Sequence, residues 1–418
     1  MSRKPKDNRP YIPPVKRIEL SEGNTTLRWI VIVILVIVGA LAITSGLNEA
    51  LVTQPGWTEV EAVCDQINCA SEFKLVYDLT DYGSNAGAAN NQLTEIYSDA
   101  CEKAYLIFSP DVEGQGNVYS LNNHVNQTIT VDPVLYRALE TLNRYENRSP
   151  FFAPVNVEYN RVFLSATDAE AALYDPQKDA ETGEYVQMLL PYLSDANQIR
   201  IELSEGDKAT LVVSDAYLDF AEAYGIELFF DFGWMKNAFI ADYLADALLE
   251  QGFTQGYLNS YDGFTRNLDD REGDYSISLF DRMGDTIHVP AQLHYQGPKS
   301  IVFLRDFPVT QLDQWRFYAY EDGSIASVLL NTQTGKPTAS VASMISVSEK
   351  QTCVQILMEI APSFLAETFS KEQVNSLKEI GISTVWCQNG SVFKNDADLS
   401  LTLLGTGKQA GYQIITAE

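Results

Sequence analysis

Histidine and cysteine are both scarce in this chain of 418 residues. The three histidines and five cysteines are His124, His288, His294, Cys64, Cys69, Cys101, Cys353 and Cys387. They do not fall into the C-x-x-C and H-x-x-x-H spacings that hold zinc, so the sequence does not indicate a zinc centre.

Basic residues are also few: 29 Lys and Arg stand against 56 Asp and Glu, a net charge of -27. Proteins that bind nucleic acid need a basic surface to neutralise phosphates, so a nucleic-acid partner is disfavoured. The apolar fraction of 45% excludes a mostly disordered chain and supplies enough side chains for a packed core.

Ionisable residues are absent from Trp29 to Leu47, a run of 19 mostly apolar residues. This length is close to the roughly 20 residues that cross a bilayer as a helix. Residues 1–28 carry seven Lys and Arg against three acids, and basic flanks stay cytoplasmic. We therefore predict a cytoplasmic tail (1–28), a transmembrane signal anchor (29–47) and an extracytoplasmic remainder. A signal peptide cleaved near Ala42 is the alternative, although the basic arm is long for one.

An extracytoplasmic location would permit disulfides. Cys64 and Cys69 are close enough in sequence to pair locally, and Cys353 with Cys387 could join a helix to the following strand. Unpaired core cysteines are the alternative.

Hydrophobic periodicity predicts an α+β fold in residues 72–418, after a juxtamembrane linker at 48–71. Helices are predicted at 90–108, from Asp132 and Pro133 to Tyr145, and at 238–251. Strands are predicted at 72–79, 199–203, 209–213, 228–232, 275–280, 301–304, 316–320 and 325–330.

The stretch from Asp231 to Asp242 reads D-F-G-W-M-K-N-A-F-I-A-D, and residues 258–263 read L-N-S-Y-D-G. These segments resemble the flavin-binding region of the FAD:protein FMN transferases, the ApbE family, where the pattern is D-L-G-G-I-A-K-G-Y-A-V-D and then I-N-L-G-G-D. The matching residues are Asp231, Gly233, Asp242 and Asn259. Trp234, Asn237, Tyr261 and Asp262 replace a family glycine, the family lysine and two paired glycines.

Further blocks follow in family order. Ser120–Asn122, Val131–Tyr136 and Phe152–Pro154 stand where the family has S-x-L-N, V-x-P-x-L-Y and a G-A-F-D-P turn. Residues 322–337 match D-G-K-R-Y-H-H-I-L-D-P-R-T-G-Y-P in part, with Ser327, Val328 and Asn331 in place of its two histidines and its aspartate.

The resemblance implies a two-lobed mixed α/β domain with FAD between the lobes and Mg²⁺ beside its pyrophosphate. The residues it places at the cofactor are Gly233, Lys236, Asn237, Phe239, Asp242, Asn259, Ser260, Ser327, Asn331 and Thr334. It gives the metal the backbone carbonyl of Lys236 and, by ungapped counting, Gln355 and Glu359 in place of the family's Asp and Thr. The alternative for Gln355 and Glu359 is a solvent-facing polar pair on an amphipathic helix.

Because the lysine, both histidines and the Asp/Thr pair are all replaced, no catalytic residue is assigned. We expect a pseudoenzyme that binds flavin or a protein partner. One alternative is an active, Mg²⁺-dependent transferase that flavinylates Ser or Thr of a neighbouring electron-transfer protein in the membrane. Another is an envelope domain whose ligand is unrelated to flavin.

Overall fold

The computed structural model describes residues 55–146, 148–152, 154–271 and 273–417. In chain order the strands are β1 (Trp57–Val60), β2 (Phe73–Asp78), β3 (Ile129–Thr130), β4 (Ile199–Ser204), β5 (Lys208–Val213), β6 (Gly256–Ser260), β7 (Phe264–Asn267), β8 (Tyr275–Met283), β9 (Thr286–Tyr295), β10 (Lys299–Arg305), β11 (Phe317–Ala319), β12 (Ile325–Ser327), β13 (Leu330–Asn331), β14 (Lys336–Pro337), β15 (Ser343–Ser348), β16 (Ser383–Gln388), β17 (Ser391–Lys394), β18 (Ser400–Leu403) and β19 (Ile414–Thr416).

The α-helices are α1 (Ala86–Phe108), α2 (Val118–Asn123), α3 (Pro133–Leu142), α4 (Pro154–Tyr159), α5 (Asp168–Ala172), α6 (Ala180–Ser194), α7 (Asp215–Tyr224), α8 (Lys236–Glu250), α9 (Cys353–Phe364), α10 (Lys371–Ser376) and α11 (Gly405–Gln409). Short 3-10 helices occupy Ala70–Glu72, Thr80–Asn85, Ser149–Phe151, Asn160–Leu164, Gly233–Met235, Gln311–Trp315 and Leu377–Ile380.

A nine-stranded sheet in the order β1-β2-β6-β7-β10-β15-β16-β17-β19 organises the domain. Its neighbouring strands are antiparallel except for the parallel pair β17 and β19. Helix α8 packs against α1 and α9, and α9 packs on β10. Helix α8 follows directly on the turn at Gly233. The packing of α8 therefore fixes the position of this turn relative to the sheet.

Both faces of the central strands are buried. Successive side chains of a strand point to opposite faces, and Ile345 and Val385 accordingly lie in a small cluster with β8, β9 and β18. Their neighbours Met344 and Trp386 lie in the large cluster with the helices. The predicted mixed α/β architecture is confirmed. Residues from Pro55 onward form one compact unit, in which the two clusters share the same strands.

Two local predictions were wrong. Residues 228–232 form no strand beyond a single bridge at Phe230, because the Phe229 and Phe230 amides donate to the side-chain oxygen of Asn122. Trp57–Val60, expected in the linker, is the edge strand β1, paired with β2.

The predicted link between Cys353 and Cys387 was also wrong: both are free thiols, on opposite faces of the sheet in different clusters. The tail at 1–28, the anchor at 29–47 and the linker as far as residue 54 lie outside the described residues. Within the described part of the chain, no helix is both long and apolar enough to span a membrane.

Candidate functional site

A cavity of about 620 Å³ lies at the N-terminal end of α8. Its walls come from the 3-10 helices at 70–72, 160–164 and 311–315, the start of α8 and the turn between β6 and β7. The lining residues are Ser71, Glu72, Asn160, Phe163, Leu164, Gly233, Trp234, Lys236, Asn237, Tyr261, Asp262, Leu312, Trp315, Arg316 and Val328.

Two glycines shape the chain around this cavity. Gly233 has a φ of 53°, which the turn into α8 requires and which other residues rarely adopt. Gly263 has a φ of 110°, and a Cβ there would lie 2.2 Å from the carbonyl oxygen of Phe303. These glycines set the positions of Trp234 and Asp262, the residues next to them.

Asn237 joins two carboxylates across the cavity wall. Its side-chain nitrogen donates to Glu72 Oε2 over 2.8 Å and to Asp262 Oδ2 over 3.1 Å. Asn237 is buried and lies in the first turn of α8, where unpaired amides give the helix a positive end that favours anions. Both amide hydrogens of the Asn237 carboxamide are therefore donated to protein carboxylates.

Two basic side chains balance these acids. Lys236 Nζ lies 3.6 Å from Glu72 Oε1. Burial lowers the pKa of Lys236, but Glu72, Asp231 and Asp262 outweigh it and raise that pKa overall, so the ammonium stays charged. Arg316 donates to the backbone oxygen of Asp262 over 3.1 Å.

Burial raises the pKa of the Asp262 carboxyl, with Arg316 opposing the shift and Glu72 adding to it. Burial likewise lowers the pKa of the Arg316 guanidinium, and Asp262 opposes that shift. The site therefore places two carboxylates and two cations side by side in one wall.

Several polar atoms here are buried without a hydrogen-bond partner among the described residues. They are Trp234 Nε1, Asn237 Oδ1 and Asp262 Oδ1. Leaving such atoms unpaired costs free energy, and all three are shielded from solvent.

The mouth of the cavity is apolar. Leu164 is 68% exposed, Trp315 62% and Leu312 57%. The aromatic residues of the lining are Trp315, Tyr261 and Trp234, whose rings are suited to stacking on a planar ligand.

Of the residues predicted at the cofactor, Gly233, Lys236 and Asn237 line this cavity. Asp242 does not. Its carboxylate accepts from the backbone amides of Cys353 and Val354, each over 3.0 Å, and pairs with Arg266 over 2.6 Å. Asp242 therefore anchors the start of α9 to the sheet.

Phe239, expected against the flavin ring, lies in the core. Its ring centroid is 4.7 Å from that of Phe232 and 6.0 Å from that of Phe151. Phe239 is 5% exposed, because one turn of α8 carries it past the cavity into the aromatic cluster.

Asn259 and Ser260 stand on β6. Asn259 pairs with Lys74 on one side and Thr265 on the other. Ser260 is buried, and its hydroxyl accepts from the Phe264 amide over 2.9 Å, closing the turn that carries Asp262. Both residues support the turn and do not line the cavity.

Ser327, Asn331 and Thr334 also lie off this cavity. Ser327 is buried on β12, next to the lining residue Val328. The Asn331 side chain donates to the Leu365 carbonyl over 2.8 Å and accepts from the Gln333 amide over 2.8 Å. Thr334 follows in the same turn and borders another surface hollow.

The structure does not bring the predicted metal ligands together. Gln355 Oε1 accepts from the Thr352 amide over 2.9 Å, completing a capping box at the start of α9. Neither Gln355 nor Glu359 lines the cavity that contains Lys236. Among the described residues no group of three or more His, Cys, Asp or Glu side chains is placed to hold a metal. Lys236, Gln355 and Glu359 therefore do not line one cavity.

Sequence reasoning missed Glu72 and Arg316. Glu72 falls in one predicted strand and Arg316 at the start of another, and neither belongs to a motif. Charged residues directly flanking short apolar strands are the one available signal, and they are too common to be selective.

Among known proteins, similarity to this chain is found in the three-dimensional fold and not in the sequence. No family model matches the sequence, and no curated protein matches it. Among solved structures, an ApbE protein from Thermotoga maritima superposes with a TM-score of 0.55 at 12% identity, covering 85% of this chain and 100% of that one. The flavin transferase ApbE from Vibrio cholerae gives a TM-score of 0.50 at 14% identity, covering 81% and 94%. This chain has the fold of the ApbE flavin transferases.

Proposed function

We propose that the cavity binds the isoalloxazine ring of a flavin and that the chain no longer transfers FMN. The observation that carries this proposal is the Asn237 carboxamide, which bridges Glu72 and Asp262 where the ApbE pattern has a lysine. An amide that already donates both hydrogens to carboxylates has none to give to a phosphate.

Electrostatics supports the loss of transfer. A pyrophosphate next to Glu72 and Asp262 would lie beside two carboxylates, and the nearby cations Lys236 and Arg316 already contact these two acidic residues. FMN transfer needs a divalent cation to neutralise charge on the pyrophosphate, and the residues expected to hold it are committed to capping α9 or lie elsewhere.

The lining supports binding of the ring, because Trp234, Tyr261 and Trp315 contribute aromatic side chains to it. Aromatic stacking of this kind contributes roughly 0.5–1.5 kcal/mol per ring beyond area burial. Recognition through the ring alone would make riboflavin, FMN and FAD similar ligands.

The test is calorimetric titration of the full chain with riboflavin, FMN and FAD, with and without Mg²⁺. We expect the three dissociation constants to agree within about fivefold and Mg²⁺ to change none of them. Trp315→Ala should weaken all three by about tenfold. Trp57→Ala, at another exposed tryptophan 52% accessible, is the matched control and should change none.

Two outcomes would replace the proposal. FAD binding about a hundredfold tighter than riboflavin, dependent on Mg²⁺, would favour the active transferase. Absence of binding by all three flavins would favour an envelope domain with an unrelated ligand.

We further propose that the chain acts at the cell membrane, held by the segment at 29–47 with its folded domain outside the cytoplasm. The support is the sequence: an uncharged apolar run behind a basic arm. A partner in this setting would be a neighbouring membrane protein of flavin-dependent electron transfer.

A further inference from the structure

Two buried cysteines, Cys69 and Cys101, meet next to the cavity wall. The Cys69 thiol donates to the Cys101 carbonyl oxygen over 3.4 Å. Its hydrogen bond to the Cys101 thiol, together with burial, raises the pKa of Cys101. Both residues are 0% exposed.

This arrangement corrects the pairing suggested by sequence distance. The Cys64 thiol faces the Ser98 carbonyl oxygen, 3.7 Å away, and Cys64 is only half-buried. Cys69 instead packs on α1 against Cys101, a residue 32 positions further along the chain.

Cys69 also holds the segment that supplies Glu72 to the cavity. The Cys69 carbonyl oxygen accepts from the Glu72 amide over 3.0 Å, closing the 3-10 helix at 70–72. Glu72 then reaches Asn237 and Lys236. A bond from Cys69 to α1 would therefore restrict the backbone that positions this carboxylate.

We propose that Cys69 and Cys101 are a redox pair that closes to a disulfide and fixes Glu72 against the start of α8. Their contact, their shared burial and the three-residue link from Cys69 to Glu72 carry the proposal. It does not depend on whether flavin binds.

The oxidant is an external disulfide, such as oxidised glutathione. One protein thiolate attacks it, forming a mixed disulfide and releasing one glutathione thiol. The second cysteine then attacks the protein sulfur of that mixed disulfide, which closes the Cys69–Cys101 bond and releases the second glutathione. Two protein thiols are oxidised and one disulfide is reduced, and the two protons leave on the released thiols.

Burial makes this exchange slow, since the thiolate is the nucleophile and the interior disfavours it. Cys353 and Cys387 share that burial but lie in different hydrophobic clusters, so neither has the other as a partner. They serve as internal controls.

The test is thiol mapping of the full chain after incubation with oxidised glutathione. Free thiols are alkylated in denaturant, and the digested peptides are identified by mass spectrometry. We expect a linked Cys69–Cys101 peptide pair that dithiothreitol separates, with Cys353 and Cys387 alkylated. Alkylation of Cys69, or its linkage to Cys64, would overturn the proposal.

Thermal unfolding gives an independent readout. Oxidation should raise the Tm by about 5 °C. Cys101→Ser should abolish that rise and Cys353→Ser should keep it. Mapping of the unsubstituted chain decides the proposal even if a variant fails to fold, because it needs no substitution.

Discussion

The side-chain nitrogen of Asn237 donates to Glu72 Oε2 over 2.8 Å, although the two residues are 165 positions apart in the chain. The same nitrogen donates to Asp262. One neutral side chain therefore joins two acidic residues that flank the neighbouring strands β2 and β6, at the position where the sequence resemblance places a lysine.

Replacing Asn237 with alanine should destabilise the protein by about 2 kcal/mol at pH 7, because the Glu72 and Asp262 carboxylates lose the buried donor that they share. Urea unfolding measures the change. Asn123→Ala is the control, since its side chain makes one exposed bond to the Tyr119 carbonyl, and it should cost less than about 0.5 kcal/mol. Equal effects of the two substitutions would contradict the bridging role of Asn237.

Asp306 should make stability fall as pH rises. Burial raises the pKa of Asp306 to about 6, with Arg282 opposing the shift and Asp281 adding to it. The folded state therefore keeps the proton that the unfolded chain gives up near pH 4. Stability from this group is complete below the unfolded pKa and is lost as pH rises through about 6.

Asp306→Asn removes that dependence. The unfolding free energy of the variant, relative to wild type, should rise by about 2 kcal/mol between pH 4 and pH 8. Asp313→Asn should show no such rise over this range: burial would raise the pKa of Asp313, but the hydrogen bond from Arg305 lowers it overall, so its contribution is lost only below about pH 4. A flat difference for Asp306→Asn would contradict the raised pKa.

Gln355→Ala should destabilise the protein by about 1 kcal/mol, because the capping box at the start of α9 is lost.

Calorimetry with Mg²⁺ should show millimolar binding or none, before and after the substitution Gln355→Ala. Glu359→Ala is the comparison and should leave the titration unchanged. Tight Mg²⁺ binding that survives both substitutions would show that the ligands lie elsewhere.

Much of the local structure follows from sequence, since its causes are local. Asp132 caps α3, as predicted, by accepting from the Val134 amide over 2.8 Å, and Pro133 opens the helix. The strand predicted at 72–79 is β2. The strand predicted at 228–232 fails for a non-local reason, because Asn122 takes the amide hydrogens that a strand partner would need.

The site was predictable only in part. Gly233, Lys236 and Asn237 were found through a contiguous motif and do share one cavity. Glu72 and Arg316 reach the same wall from distant segments, and only the pairing of β2 with β6 and the path of the chain after β10 bring them there. A sequence motif also does not distinguish residues that contact the cofactor from residues that stabilise the fold. Asp242 and Phe239 belong to the motif, yet one anchors α9 and the other packs in the core.

Membrane topology is testable directly. A reporter enzyme that is active only outside the cytoplasm, fused after Glu418, should be active. The reason is that basic flanking residues such as Arg28 favour the cytoplasmic side, and the proposed anchor at 29–47 would carry the rest of the chain across. Activity of a cytoplasmic reporter at the same position would contradict the topology.

The central claim is that this fold has kept a flavin-sized cavity and lost FMN transfer. The most direct measurement incubates the full chain with FAD, Mg²⁺ and a flavin-acceptor protein, and reads covalent flavin fluorescence on the acceptor in a denaturing gel. An active ApbE transferase serves as the positive control. We predict no fluorescent acceptor band with this chain, and none with the single substitution Asn237→Lys, because residues that act as a unit are not restored one at a time. A fluorescent band at a rate comparable to that control would contradict the claim.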